Sequence, residues 1–407
     1  MDGLPTEILD NIFIFVRATI DQRSVCLVSH RWCNVMTPQI FRDFKTDMRP
    51  TPEKQLTVLT DPKSRILKEI RKLTIGDECE FLQDDLISLL VSIPSGQLIS
   101  FTHEGFAAPL SEDTLRLLLQ RHTNLDALCA TGVVGKIDSA VLPHVASIRA
   151  FSAIIPKTVD AEVVGTYLQS ARNLIKILPK INDLRLRSGS DRRDDFAPMF
   201  EGENGILHLP GLEHLTLQSI QMTPGYDALL NTFDISKLHT LYISCCVNVQ
   251  SLLDPITKVF AATNSKGALR NFQIWFNQDT SQSFAEARAV ERFLSVCPPL
   301  SFIQVGVWGQ HKIDVSCVFK HARTLRTLVL VTGAKHPYAV SDVQRLLGVC
   351  TRLEQLGLDL PMPKLGSTSG VAEPVALGSS GAGAAHVSDH LETFLVHPQD
   401  LITSTSN

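Results

Sequence analysis

Cys297, His311, Cys317 and His321 are residue types that ligate zinc, gathered within 25 residues of chain. A zinc site needs its ligands on short connections that converge on one point. Here Cys297 closes an expected helix and His311 follows an expected strand, so the group reads as core thiols and surface histidines, with no metal site. Cys245 and Cys246 are adjacent on one strand and point to opposite faces, which makes them poor joint ligands. Phosphate chemistry comes nearest in "ATGVVGKID", which lacks the first glycine and the final hydroxyl residue of a nucleotide loop. "GSTSG" puts Thr368 where an acyl-transfer elbow needs serine. No acid–base or nucleophile constellation remains. The expectation is a non-catalytic protein without a cofactor, with most of its 13 histidines at the surface.

A second chemistry is recognition, and it depends on elements that bring scattered residues to one surface. The template L-x-x-L-x-L matches "LRTLVL", "LEHLTL", "LHTLYI", "INDLRL" and several weaker segments such as "LISFTH", "LDALCA", "IRAFSA" and "LETFLV". Its central apolar residues fall at Leu73, Phe101, Leu128, Phe151, Leu184, Leu215, Leu241, Phe272, Ile303, Leu328, Leu356 and Phe394, with gaps of 23 to 38 residues. A three-position pattern also arises by chance in a chain this apolar; the near-constant interval is the stronger signal. Capping boxes at Ser283-x-x-Glu286 and Ser341-x-x-Gln344, and a start at Asp254-Pro255, predict amphipathic helices between strands. "DDLISLLVSI" and "SEDTLRLLLQRH" add two more. Along each strand the residues beside the central one must face away from the core. That places Arg185, Arg187, Tyr242, Trp275 and Phe302 outward, and arginine, tyrosine and tryptophan are frequent binding anchors. An acidic or phosphorylated segment is the expected ligand of the two arginines. The alternative is that Trp275 and Phe302 pack on each other to cover the sheet.

The N-terminus is helical in pattern. Pro5 suits a first turn, and Ile8, Leu9, Ile12, Phe13 and Val16 make one stripe. Asp21 is the expected cap of a second helix carrying Val25, Val28, Trp32 and Val35, and Thr37-Pro38 restarts a third that ends with Phe41 and Phe44. "LPTEILDNIF" followed by "CLVSHRWCNVMTPQIF" resembles the F-box over residues 3–44, with Ser-His-Arg-Trp where Cys-Lys/Arg-x-Trp is commoner. The period of the remainder is similar to the long, irregular leucine-rich repeats that follow many fungal-type F-boxes, with Cys246 and Asn277 in the slot where that family puts Asn or Cys. The resemblance implies docking on a Skp-family adaptor, and through it a cullin, by Leu4, Pro5, Ile8, Ile12, Val28 and Trp32. It implies a protein substrate for the repeats.

The expected fold is α/β. An all-α F-box at 1–47 and a linker helix region at 48–65 lead into a curved parallel-strand leucine-rich-repeat solenoid at 66–401. A flexible Gly/Ser/Ala-rich insertion is expected at 366–388, and "RSGSDRRDDFAPMFEGENG" after Leu186 reads as a solvated loop. Hydrophobic content of 44% and charged content of 20% describe a chain that folds. A net charge of −4 offers nucleic acid or an acidic membrane no attraction. No apolar run reaches the ~18 residues of a membrane span, and no secretory signal is evident at the start. Nine cysteines without CxxC spacing, and no Asn-x-Ser/Thr acceptor, fit reduced thiols in the cytosol or nucleus. The resemblance implies the substrate-recognition subunit of a Skp–cullin–F-box ubiquitin ligase, and two readings compete with it: a leucine-rich protein-binding scaffold whose helical N-terminus is only a cap, and an enzyme on an α/β repeat.

Overall fold

A computed structural model describes residues 4–16, 19–46, 59, 66–76, 83–104, 109–132, 145–156, 161–189, 194–202, 205–222, 227–276, 283–307, 311–332 and 337–360. The expected linker at 48–65 lies outside these except for Leu59, and the insertion at 366–388, Asn277 and the strand expected at Phe394 lie outside them altogether. The chain divides into two compact units, residues 1–234 and 235–407.

The first unit opens with helices α1 (Thr6–Phe13), α2 (Thr19–Cys26) and α3 (His30–Arg42). Strands β1 (Asp43–Thr46) and β2 (Lys72–Ile75) follow, then helix α4 (Gln83–Ser92), β3 (Ser100–His103), α5 (Glu112–Arg121), β4 (Ala127–Thr131), β5 (Ala150–Ile155), α6 (Ala161–Lys176) and β6 (Asp183–Ser188). A short turn α7 (Ala197–Phe200) and a two-stranded antiparallel pair, β7 (Glu201–Gly202) with β8 (Gly205–Ile206), precede β9 (His214–Gln218) and α8 (Asp227–Thr232). Strands β1 to β6 and β9 pair in parallel, each with the next in sequence. The second unit repeats the plan. It runs β10 (Thr240–Ser244), α9 (Gln250–Ala262), β11 (Asn271–Trp275), α10 (Ser283–Val296), β12 (Phe302–Gly306), a 3-10 segment Val315–His321, β13 (Thr327–Val331), α11 (Val340–Val349) and β14 (Gln355–Leu358). These five strands are again parallel and paired in chain order.

The period of two explains the strands. Leu184 and Leu186, Leu215 and Leu217, Leu241 and Ile243, and Leu328 and Leu330 have no exposed surface, while the residues between most of them stay outward. Helices supply the other wall: Leu252, Leu253, Ile256 and Phe260 of α9 and Val290, Phe293 and Leu294 of α10 are buried. The Phe293 ring lies 4.6 Å from that of Phe272 on β11. The chain leaves several strands through a left-handed residue four positions past the central apolar one: Gly132, Ser219 and Cys245, with φ of 56°, 56° and 55°. Three of the weaker template matches, "LISFTH", "LDALCA" and "IRAFSA", are strands too, with His103, Ala130 and Ala153 buried in the last apolar slot.

Several expected boundaries move. The second expected helix is two helices, because Ser29 caps α3 by accepting from the Trp32 N–H at 3.2 Å, and Asp21 sits inside α2 rather than before it. Pro38 lies within α3, where the Thr37 hydroxyl donates to the Cys33 carbonyl at 2.7 Å, and Phe44 belongs to β1. Residues 43–46 of the segment assigned to the helical unit therefore form a strand of the sheet. Helix α9 begins four residues before Asp254, since Leu252 and Leu253 extend its buried stripe past Pro255. The α11 cap is Ala339, whose N–H donates to the Asp342 carboxylate at 3.2 Å, leaving Ser341 inside the helix. Glu286 is buried and accepts from the Val249 N–H at 3.4 Å in the neighbouring repeat. The loop after Leu186 is not wholly solvated, because its Phe196, Met199 and Phe200 are core residues.

Candidate functional site

Three short helices must share very little apolar surface between a core of their own and anything else. Leu9 and Phe13 of α1 and Val35 and Met36 of α3 form that core, with Leu4, Val16, Val25, Cys26, Trp32 and Ile40 packed around it. Gln39 ties α3 to α1 by donating to the Asp10 carboxylate at 2.6 Å, and the Arg31 guanidinium donates to the Leu4 carbonyl. Once Leu9 and Phe13 turn inward, the other edge of the α1 stripe is left outside. Ile8 and Ile12 are 44% and 45% exposed, and Ile14, Phe15, Ile20, Leu27 and Val28 are exposed as well, with Leu27 at 87%. Seven of the 14 exposed large hydrophobics among the described residues thus lie between positions 8 and 28. Isolated exposed apolar residues are ordinary, but a concentration of them marks an interaction surface.

The six residues assigned to adaptor docking divide by environment. Pro5, Ile8, Ile12 and Val28 are exposed. Leu4 and Trp32 are half-buried against the small core; the Trp32 ring meets Phe13 edge-on at 5.2 Å, and its indole N–H is buried without a hydrogen-bond partner among the described residues. The sequence did not single out Ile14, Phe15, Ile20 or Leu27. They sit in or beside the turns between helices, where no period marks them.

The substrate candidates fall in different units. Arg185 and Arg187 stand two residues apart on β6, and Asp183 on the same strand holds Arg185 through a 2.7 Å charge-assisted bond. That hydrogen bond, more than the two charges' proximity, raises the arginine's proton affinity. Tyr242, Trp275 and Phe302 lie on the consecutive strands β10, β11 and β12 of the second unit. Trp275 and Phe302 do not cover each other. Trp275 pairs in register with Gly306 and Phe302 with Asn271, four residues apart along the strands or roughly 13 Å. The Trp275 ring instead lies on the Gly306 backbone, so closely that a β-carbon at 306 would be 2.1 Å from its Cε3.

Of the two histidines expected at the surface in the cysteine–histidine group, His311 is half-exposed and His321 is a correction. His321 has no exposed surface: its Nδ1 accepts from the Leu300 N–H at 3.1 Å, and its Nε2 donates to the Leu294 carbonyl at 2.9 Å. Both ring nitrogens are used, so no lone pair remains for a metal, and burial pushes its pKa down to about 4. Burial likewise pushes the neighbouring Cys297 thiol up to about 12, which keeps it protonated. His311 meets the Phe284 ring at a 54° tilt, with centroids 4.5 Å apart, and takes no part in this core contact. His103 and His122 are also buried and their pKa values are lowered to about 4. Among the described residues no group of three or more histidine, cysteine or carboxylate side chains could hold a metal ion, and no helix is long and apolar enough to cross a membrane.

In comparison with known proteins, no family model matches the chain and no curated protein matches it.

Proposed function

We propose that this chain is the substrate-recognition subunit of a Skp–cullin–F-box ubiquitin ligase. In this reading the three N-terminal helices dock on a Skp-family adaptor, and the strand–helix repeats, of leucine-rich type, hold a protein substrate. The observation that carries it is the division of α1: Leu9 and Phe13 close a core while Ile8 and Ile12, with Val28 beyond α2, stay exposed. A unit that was only a cap on the repeats would turn its apolar stripe toward them. The chain's contribution is proximity, raising the effective concentration of substrate near the ubiquitin donor.

Coexpression of the full chain with a Skp-family adaptor tests this directly. Copurification is expected from the unaltered chain. Ile8→Asp/Ile12→Asp is expected to cut the recovered adaptor at least about tenfold with the thermal melt unchanged, because it places two charges in a desolvated contact. Adaptor recovery equal to the unaltered chain's would overturn the reading.

A further inference from the structure

We propose that the outward face of β10–β12 binds an extended, uncharged peptide segment, whose backbone is read by the side-chain amides of Gln273 and Gln304. The proposal deepens, and rests on, the reading of this face as the substrate surface. Register brings Tyr242, Gln273 and Gln304 into one row, since Tyr242 pairs with Gln273 and Gln273 with Gln304. Neighbouring strands are about 4.8 Å apart, so the row offers a phenol and two amides at that spacing. All three residues are half-buried, and none makes a hydrogen bond among the described residues. Other polar side chains of the same face are paired: the Asn271 amide donates to the Thr240 hydroxyl at 3.3 Å, and the Thr327 hydroxyl donates to Gln355 at 3.2 Å. The two glutamines and the tyrosine are the polar groups left over.

Charge decides the class of ligand. No outward position on the second unit's five strands is an acid or a base, unlike β6 with Asp183, Arg185 and Arg187. At the entry edge Arg326 is paired with Glu354 at 3.2 Å, and Arg270 is spent on the carbonyls of Gly267 and Leu269. A phosphate, carboxylate or ammonium laid on this face would be desolvated without a counter-charge. A side-chain amide carries both donor and acceptor, as a peptide unit does, and so matches a backbone without asking for charge. Geometry adds the direction. Trp275 lies two residues to one side of the row and Phe302 two residues to the other, about 6.6 Å each way. An extended chain running across the strands along the amide row sends alternate side chains toward one aromatic and then the other.

The full chain, immobilised, is to be panned against displayed random peptides about 12 residues long, and the enriched sequences synthesised for anisotropy titrations. Enriched peptides are expected to be uncharged through their centre. Their dissociation constants should change less than about twofold between roughly 50 and 500 mM salt. Gln273→Ala/Gln304→Ala should weaken them at least about tenfold, and Ile8→Asp/Ile12→Asp should leave them unchanged. Should the alanine pair lower the melting temperature, Gln304→Lys serves in its place and should shift selection toward acidic peptides. Enrichment of charged peptides, steep salt dependence, wild-type binding by the alanine pair, or no enrichment at all would each overturn the proposal. So would a neutral oligosaccharide that binds and depends on the same glutamines. Peptide binding without adaptor copurification would leave this face assigned and remove the ligase reading; the reverse result would do the opposite.

Discussion

His103, His122 and His321 are imidazoles shut away from water, and each is held neutral chiefly by the cost of burying its charged form. Their folded pKa values, about 4, lie below the ~6.5 of an unfolded histidine. The unfolded chain therefore binds more protons between those values, and folding stability falls as pH drops from about 6.5 toward 4. Above about 6.5 these groups contribute no slope. Each fully buried imidazole accounts for up to about 1.4 kcal/mol per pH unit in that window. Urea midpoints measured from pH 8 down to pH 4 should be flat and then fall; a flat profile throughout would show the three sites to be open to water. His103 stands in the last apolar slot of its strand template, but no comparable signal marks His122 or His321 as buried. A single polar residue has no period, and the partners of His321, the Leu300 N–H and the Leu294 carbonyl, are backbone groups of another repeat.

Elements are better recorded in sequence than their edges. The strands were legible because alternation is a two-residue signal, and Leu184, Leu186, Leu215 and Leu217 carry it without interruption. Helix starts were less so. Asp342 satisfies the Ala339 N–H from a position that looks like an ordinary acidic first turn, and the stripe of α9 runs on through Pro255. In α1 the apolar set Ile8, Leu9, Ile12, Phe13 was read as one face, but hydrophobicity cannot say which edge of a wide stripe is covered. Only the positions of Val35 and Met36 on α3 settle that Leu9 and Phe13 go inside. A contrast within one helix follows. Phe13→Ala should cost about 3–5 kcal/mol of the helical unit's stability, while Ile8→Ala, at the exposed edge, should change it by less than about 0.5 kcal/mol. Ser29→Ala should cost about 1 kcal/mol by removing the α3 cap. Hydrogen exchange over residues 6–42 reports all three, and equal losses from Phe13→Ala and Ile8→Ala would mean that α1 is turned differently.

Within each unit the parallel strands pair in chain order, with the β7–β8 hairpin set apart from them, so stability is close to a sum of repeats and the interfaces between them. Over the first three strands of the second unit the step is regular, with 31 residues from Leu241 to Phe272 and again from Phe272 to Ile303. Removing residues 271–301 would join α9 to β12 without changing the phase of either. The shortened chain is expected to fold, with helicity reduced in proportion to the loss of α10 and a lower melting temperature. A loss of cooperative melting would show that β11 and α10 hold more than their neighbours. The residues of the outward β10–β12 face were legible to different depths for a related reason. Tyr242 and Trp275 stand out by type, whereas Gln273 and Gln304 gain meaning only when register sets them side by side.

The Trp275 ring resting on Gly306 has a consequence for how this protein can change over generations. Gly306 has an ordinary strand backbone, so what position 306 must supply is room, and only while position 275 holds an indole. Gly306→Ala alone should be strongly destabilising, because its methyl would lie 2.1 Å from a ring carbon; in a Trp275→Ser background the same change should be close to neutral. The two sites are therefore open to drift in one order only. A lineage must give up the aromatic platform before it can fill the space beneath it, and once that space is filled, the tryptophan cannot return until the space is cleared.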